Sequence, residues 1–176
     1  MKNDNRPIRI ALIGAGTVGS KVASLLIDQA EDLKARSGAP LQLVGIGVKD
    51  SSKPRPGIPQ ELITSNISEL IAKDIDILVE VMGGIEPART HILDAMSRGI
   101  SVVTANKELL AKDGATLYAA AEKNNVDLYF EASVAGAIPL LRPLRESLVG
   151  DKVLKVLGIV NGTTNYILTK MDETGA

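Results

Sequence analysis

The chain has 176 residues, 45% of them apolar, which suits one domain with a substantial core; with one Phe, three Tyr and no Trp, that core is aliphatic. Twenty Lys and Arg against 21 Asp and Glu, with no long basic run, argue against a nucleic-acid surface. The lack of cysteine excludes disulfides and thiolate chemistry and fits a cytoplasmic protein; no apolar run approaches the roughly 20 residues of a membrane span, and "MKNDNRPIR" lacks the apolar centre of a signal peptide.

"IRIALI" (Ile8–Ile13) reads as a buried strand. A helix follows, with apolar spacing through Val18, Val22, Leu25, Leu26 and Ala30 and a stop at Gly38. "LQLVGIGV" (41–48) is a second strand, "SSKPRPGIP" a loop, and "ISELIAKD" a short helix. "DILVEVM" (76–82) is the third strand, followed by a Gly pair and a helix over 86–98 with Pro87 in its first turn and Gly99 as its stop. "SVVTA" is the fourth strand, and a helix runs over 107–124 with a break near Gly114. "VDLYFEAS" is the fifth strand, "IPLLRPLRESLVG" is helical, "KVLKVLGIV" (152–160) is the sixth strand, and "NGTTNYILTKMDETG" opens a last helix.

Strands alternating with helices predict an α/β, doubly wound, mainly parallel sheet of about six strands with helices on both faces. Ligands of such sheets bind beyond the carboxyl ends of the strands. There, "GAGTVG" places Gly14, Gly16 and Gly19 at G-x-G-x-x-G spacing, between the first strand and the first helix, as in a Rossmann-type dinucleotide fold. Gly14 permits the tight turn, Gly16 lets a pyrophosphate approach, and Gly19 lets helix and strand pack. Backbone contacts would come from Ala15, Thr17 and Val18, at a helix N-terminus suited to phosphate. The alternative is a tight turn that binds nothing.

The second strand ends in Lys49 and Asp50, with Lys53 and Arg55 close behind. An acid at this strand end suits a free ribose 2′-hydroxyl and a base suits a 2′-phosphate, so NADP and NAD both stay open. A solvated charged loop is the alternative for Lys53 and Arg55. At the third strand end, Gly83 and Gly84 leave room for a ring or ribose, or form an ordinary turn. Glu80, inside that strand, either meets a ligand or pairs with a buried cation. Lys107 sits where the fourth strand gives way to a helix. A helix N-terminus is already positive, so a lysine there is locally disfavoured and points to function. His91, the single histidine, falls mid-helix, away from the strand ends.

Taken together, "GAGTVG", "VEVMGGIEPAR", "SVVTANKELLA", "DLYFEASVAGAIPLL" and "GIVNGTTNYIL", in this order, resemble homoserine dehydrogenase over about Ile8 to the last residue. "SSKPRPGIPQELIT" resembles the actinobacterial form of that family. The resemblance implies reversible hydride transfer between aspartate 4-semialdehyde and L-homoserine with NAD(P)H, on the route to threonine and methionine, by an enzyme that is usually a homo-oligomer. It places Thr104 and Lys107 of "TANK" at the cofactor, with Lys107 beside the substrate. There an amine would also stabilise charge developing on the aldehyde oxygen. It makes "EASVAGAIP" a monovalent-cation loop, with Glu131, Val134, Gly136 and Ile138 as ligands, chiefly through main-chain carbonyls, and sodium as the ion. From the residues alone, a plain strand-to-helix turn is an equal alternative. In "NGTTN", Asn161, Gly162 and Thr163 become substrate contacts, although Asn161 also makes a sound helix cap.

On this reading residues 1–160 form the dinucleotide-binding domain and 161–176 begin a substrate domain. Whole members of the family continue with an acidic segment and a proton-donating lysine that nothing here matches. The expectation is therefore a chain that binds dinucleotide weakly and turns over little homoserine. A dinucleotide-sensing module without catalysis, or a different small amino-acid dehydrogenase, are the other readings.

Overall fold

The computed structural model describes residues 6–136, 138–159 and 161–175. Its sheet is built on β1 (Ile8–Ile13), where Ala11, Leu12 and Ile13 are inaccessible to solvent. Period-two alternation sends Ala11 and Ile13 into one core and Leu12 into another, so both faces of the sheet are covered. The other strands are β2 (Leu41–Gly47), β3 (Ile63–Thr64), β4 (Ile77–Glu80), β5 (Ser101–Thr104) and β6 (Leu128–Tyr129). They lie in the order β3-β2-β1-β4-β5-β6, and every pairing is parallel. The order reverses between β1 and β4, the point at which such a sheet opens a crevice beyond its carboxyl ends.

On the Leu12 face, Ala23 of α1 (Thr17–Asp28) packs with Ile46, Val48 and Ile58. The Ile13 face is covered by α3 (Ile67–Ile71), α4 (Ala88–Ser97) and α5 (Lys107–Asn124), through Leu70, Ile92, Met96, Leu109 and Leu117. The single helix expected after β1 is two. At Gln29 the chain leaves helical geometry, and α2 (Ala30–Ser37) then runs to the left-handed Gly38, φ 79°. The break expected near Gly114 is a kink at Asp113, φ −142°. Pro87 precedes α4 as its N-cap rather than lying in its first turn.

The structure corrects the strand assignments at two places. Of the sixth predicted strand, 152–160, Val160 lies outside the described residues and 152–159 form no strand; Leu154, Leu157 and Ile159 are all more than 70% exposed, so neither alternating face is covered. The sixth strand is instead β3, whose two residues extend the sheet beside β2. The fifth predicted strand is reduced to Leu128–Tyr129, and Glu131–Ser133 turn into a 3-10 helix. The helix expected after Ile138 is a single π-type turn, Pro143–Ser147.

The chain divides into two compact units, one up to Ser133 and one from Val134. The first holds the sheet. The second holds α6 (Gly162–Thr174), which Asn161 caps by accepting the Thr164 N–H at 2.9 Å.

Candidate functional site: a crevice at the strand reversal

At the end of β1 the chain turns at Gly14, φ 97°, whose N–H donates to the Gly47 carbonyl at 2.9 Å. A Cβ on Gly14 would stand 2.8 Å from the Val81 and Met82 backbone. One on Gly19 would overlap the Gly14 carbonyl oxygen, so this pair of glycines is demanded by backbone packing. Gly16 differs: a Cβ there would meet nothing within 4 Å. The space over Gly16 faces the start of α1, which has no side-chain cap and no acid in its first turn. Its first amides and the positive end of its dipole are thus left for an anion. Ser20 closes the turn from behind, donating to the Ala15 carbonyl at 3.2 Å.

A cleft of about 390 Å³ opens at this point. Gly14, Ala15 and Gly16 form its floor, Val81, Met82 and Gly83 one wall, and Lys49, Asp50, Lys53 and Arg55 the opposite rim. The rim is a built loop. Arg55 donates to the Lys53 carbonyl at 2.8 Å and the Asp50 carbonyl at 3.2 Å, and Gln60 donates to the Ser51 carbonyl at 3.0 Å. The Arg55 charge, like that of Lys53, also acts on the nearby Asp50 carboxylate. The Asp50 carboxylate accepts from the Ser52 hydroxyl (2.6 Å) and N–H (3.0 Å), which hold its pKa below the ordinary aspartate value.

The next two strand ends are tied together. Glu80, fully buried at the end of β4, accepts from the Met82 and Gly83 amides at 2.8 and 3.3 Å and from the Thr104 hydroxyl at 2.5 Å. Thr104 closes β5 and accepts in turn from the Asn106 amide at 3.0 Å. The Asn106 side chain accepts from Leu109 N–H at 3.1 Å, capping α5, and donates to the Gly84 carbonyl at 2.6 Å. Lys107 is the first residue of α5 and is exposed. It does not line the 390 Å³ cleft. It stands along the same sheet edge, two strands from β1, or roughly 10 Å by ordinary strand spacing. A dinucleotide laid across such an edge spans that distance, and the open glycine turn, cationic rim and second glycine turn fit its parts.

Residues 14–131 match the family model described as the NAD-binding domain of homoserine dehydrogenase. The chain belongs to the homoserine dehydrogenase family. A second homoserine dehydrogenase model matches residues 139–176. Homoserine dehydrogenase of Mycobacterium bovis is 59% identical over all of this chain, and that of Bacillus subtilis 45% identical over 94% of it. These alignments span 40% and 39% of the two relatives, so the chain spans about two fifths of their length. The crystal structure of a homoserine dehydrogenase from Thiobacillus denitrificans superposes with a TM-score of 0.87 at 40% identity, covering 97% of this chain and 40% of that one.

Within this homoserine dehydrogenase frame, Gly14, Ala15, Gly16, Lys49 and Gly83 line the cleft, while Thr17, Val18 and Gly19 lie in the first turn of α1 and do not line it. Val18 lies on the exposed first turn of α1, with 57% of its surface open. Thr104 is 1% exposed, and its hydroxyl is committed to Glu80 and Asn106. Among the described residues Glu80 pairs with no cation: its partners are two amides and a hydroxyl. The reading of residue types overlooked Asn106, although an Asn preceding a helix is a cap signal. Of the cation-loop residues, Glu131 opens the 3-10 turn of the first unit. Val134, Gly136 (φ 61°) and Ile138 belong to the second. Among the described residues, no three acidic or histidine side chains converge as a metal cluster, and no helix is long and apolar enough to cross a membrane. Asn161 has the capping role, while Gly162 and Thr163 form the exposed first turn of α6.

The kink of α5 has its own anchor. Arg89 binds Glu86 at 2.7 Å and reaches Asp113 at 3.1 Å, while Thr116 donates to Asp113 at 2.5 Å. The Asp113 pKa is lowered first by Thr116 and then by Arg89, and that of Glu86 chiefly by Arg89. A lowered carboxylate pKa adds stability above the unfolded value and loses it as pH falls through the folded one. The melting-temperature gap between the wild type and Arg89→Ala should therefore be present at neutral pH. It should begin to shrink as pH falls below the ordinary carboxylate values of about 4 and close only once pH is below the lowered values of the folded chain. Thermal melts across pH test this, and a gap that persists unchanged at pH 2 contradicts it.

Proposed function

We propose that this chain supplies the dinucleotide-binding part of an enzyme that interconverts aspartate 4-semialdehyde and L-homoserine with NAD(P)H. The cleft at the strand reversal carries the reading, because it joins an uncapped helix N-terminus to a cationic rim. The diphosphate rests on the amides after Gly14, over the open face of Gly16. The adenosine end meets Lys49, Asp50, Lys53 and Arg55, and the nicotinamide end runs toward Gly83, Thr104 and Lys107. Bound nicotinamide supplies or accepts the hydride. Lys107 draws the substrate carboxylate or the cofactor's ribose oxygens and favours negative charge on the aldehyde oxygen. Substrate contacts at Asn161, Gly162 and Thr163, a homo-oligomeric enzyme and a role in threonine and methionine synthesis rest on the family resemblance. So does a sodium ion at Glu131, Val134, Gly136 and Ile138; its test is a higher melting temperature in sodium chloride than in choline chloride of equal ionic strength.

Three rim cations favour a 2′-phosphate, while Asp50 keeps a free 2′-hydroxyl acceptable. Fluorescence titration of the 176-residue chain with NADPH and NADH tests the whole reading, and binding of neither rejects it. Lys49→Glu is expected to weaken NADPH about tenfold, the loss of one phosphate contact and its replacement by repulsion, and to leave NADH within about threefold. Equal losses for both coenzymes would remove the rim from the 2′ position.

A further inference from the structure

We infer that Glu80 is a positioning residue, one that sets the spacing between the Gly83–Gly84 turn and Lys107 without touching either ligand. A carboxylate with no accessible surface is costly to bury unless its oxygens are used. Here both are used, and each faces a different strand end. Oε1 takes the Met82 and Gly83 amides, which fixes the turn following β4. Oε2 takes the Thr104 hydroxyl, whose oxygen receives the Asn106 amide where β5 passes into α5. Asn106 then closes the ring on the Gly84 carbonyl and on Leu109 of the helix that Lys107 begins.

The ring does more than fill the core. In a parallel sheet the ladder holds strands in register, but it ends where the strands end. Beyond Glu80 and Thr104, paired in register, the chain must turn away into loops. Gly83 and Gly84, both at φ 74°, have the freedom to take several courses. Glu80 removes that freedom on one side and Asn106 on the other. A cofactor that crosses β4 toward β5 then meets a turn and an amine already set at fixed separation, so less ordering cost falls on binding.

This inference rests on the dinucleotide reading, and a double-mutant cycle separates the two. NADH affinity is measured by titration for the 176-residue chain and for Glu80→Gln, Lys107→Ala and the double variant, with ADP as a probe that lacks the nicotinamide end. Glu80→Gln keeps the shape but offers Thr104 an amide in place of an acceptor. It should weaken NADH about tenfold, as expected for a broken charge-assisted hydrogen bond, and ADP by no more than about twofold. If Glu80 acts through Lys107, the double variant is no worse than Lys107→Ala within about twofold, whereas independent roles multiply. Multiplying effects, an equal loss for ADP, or no loss for NADH each overturn the assignment. Failure of the wild-type chain to bind either NADH or ADP overturns the dinucleotide reading as well. Should Glu80→Gln not fold, Thr104→Val removes the hydroxyl at the joint and Thr104→Ser restores it. NADH affinity should fall in the first and return in the second, and a serine variant as weak as the valine one counts against the ring.

Discussion

Gly19→Ala should unfold at a lower temperature and lose dinucleotide binding, whereas Gly16→Ala should lose binding alone. The contrast follows from where each new methyl group goes. At Gly19 it enters the Gly14 carbonyl oxygen, and the neighbouring obstacles include more backbone. Backbone cannot rotate out of the way as a side chain can, so α1 must move off β1. We expect a cost of about 2–4 kcal/mol, in the range of overpacked cores, and a fall in melting temperature of roughly 5–15 °C for a chain of this size. At Gly16, φ is −79° and no atom lies within 4 Å of the added Cβ. Loss of the glycine cap and reduced freedom of the unfolded chain act in opposite directions, so stability should stay within about 1 kcal/mol. The methyl group nevertheless stands where a phosphate would approach the amides, and NADPH affinity should fall by about a hundredfold, a loss of several charge-assisted hydrogen bonds. Thermal melts and coenzyme titrations of the two variants decide the matter. Equal stability losses would contradict the packing contrast between the two glycines, and full binding by Gly16→Ala would show that no diphosphate lies there.

Lys107→Ala, placed in a complete homoserine dehydrogenase containing this chain, should lower kcat for homoserine oxidation by about 100- to 1000-fold, the range for removing one electrostatic stabiliser. The effect falls on kcat because the charge is needed most where negative charge develops on the aldehyde oxygen. Lys107 is well placed for such a role. Its helix is capped by Asn106, its strand end is tied to Glu80 through Thr104, and its side chain is exposed at the sheet edge. Lys107→Arg should restore coenzyme affinity more fully than kcat, since a planar guanidinium carries the charge in a different geometry. Steady-state kinetics with saturating coenzyme read the result. A variant that turns over homoserine at the wild-type rate would leave Lys107 as a binding residue only.

Much of the parallel sheet was legible in the sequence. The runs at β1, β2, β4 and β5 are apolar, rich in β-branched residues and bounded by Gly, Asp or Asn, and each forms a strand close to its expected limits. The glycine spacing after the first such run was also sufficient to locate the crevice floor, because its meaning depends on local order alone. Two residues cannot show a period, so Ile63–Thr64 escaped; they are a strand because β2 offers them an edge. The opposite error fell at 152–159, where an apolar run looks like a strand but has no described partner to pair with.

By itself, then, the sequence determined the class of sheet, the position of its glycine turn and the family to which the chain belongs. The glycine turn lies within one short window of residues, and the class of sheet and the family follow from the order of such windows along the chain. Only the tertiary structure decided what Glu80, Thr104 and Asn106 do. Glu80 and Thr104 are 24 residues apart in sequence, yet hydrogen-bonded at 2.5 Å in space. Their acceptor and donor are matched by the register of β4 on β5, and no local pattern of residues encodes which two strands will lie side by side.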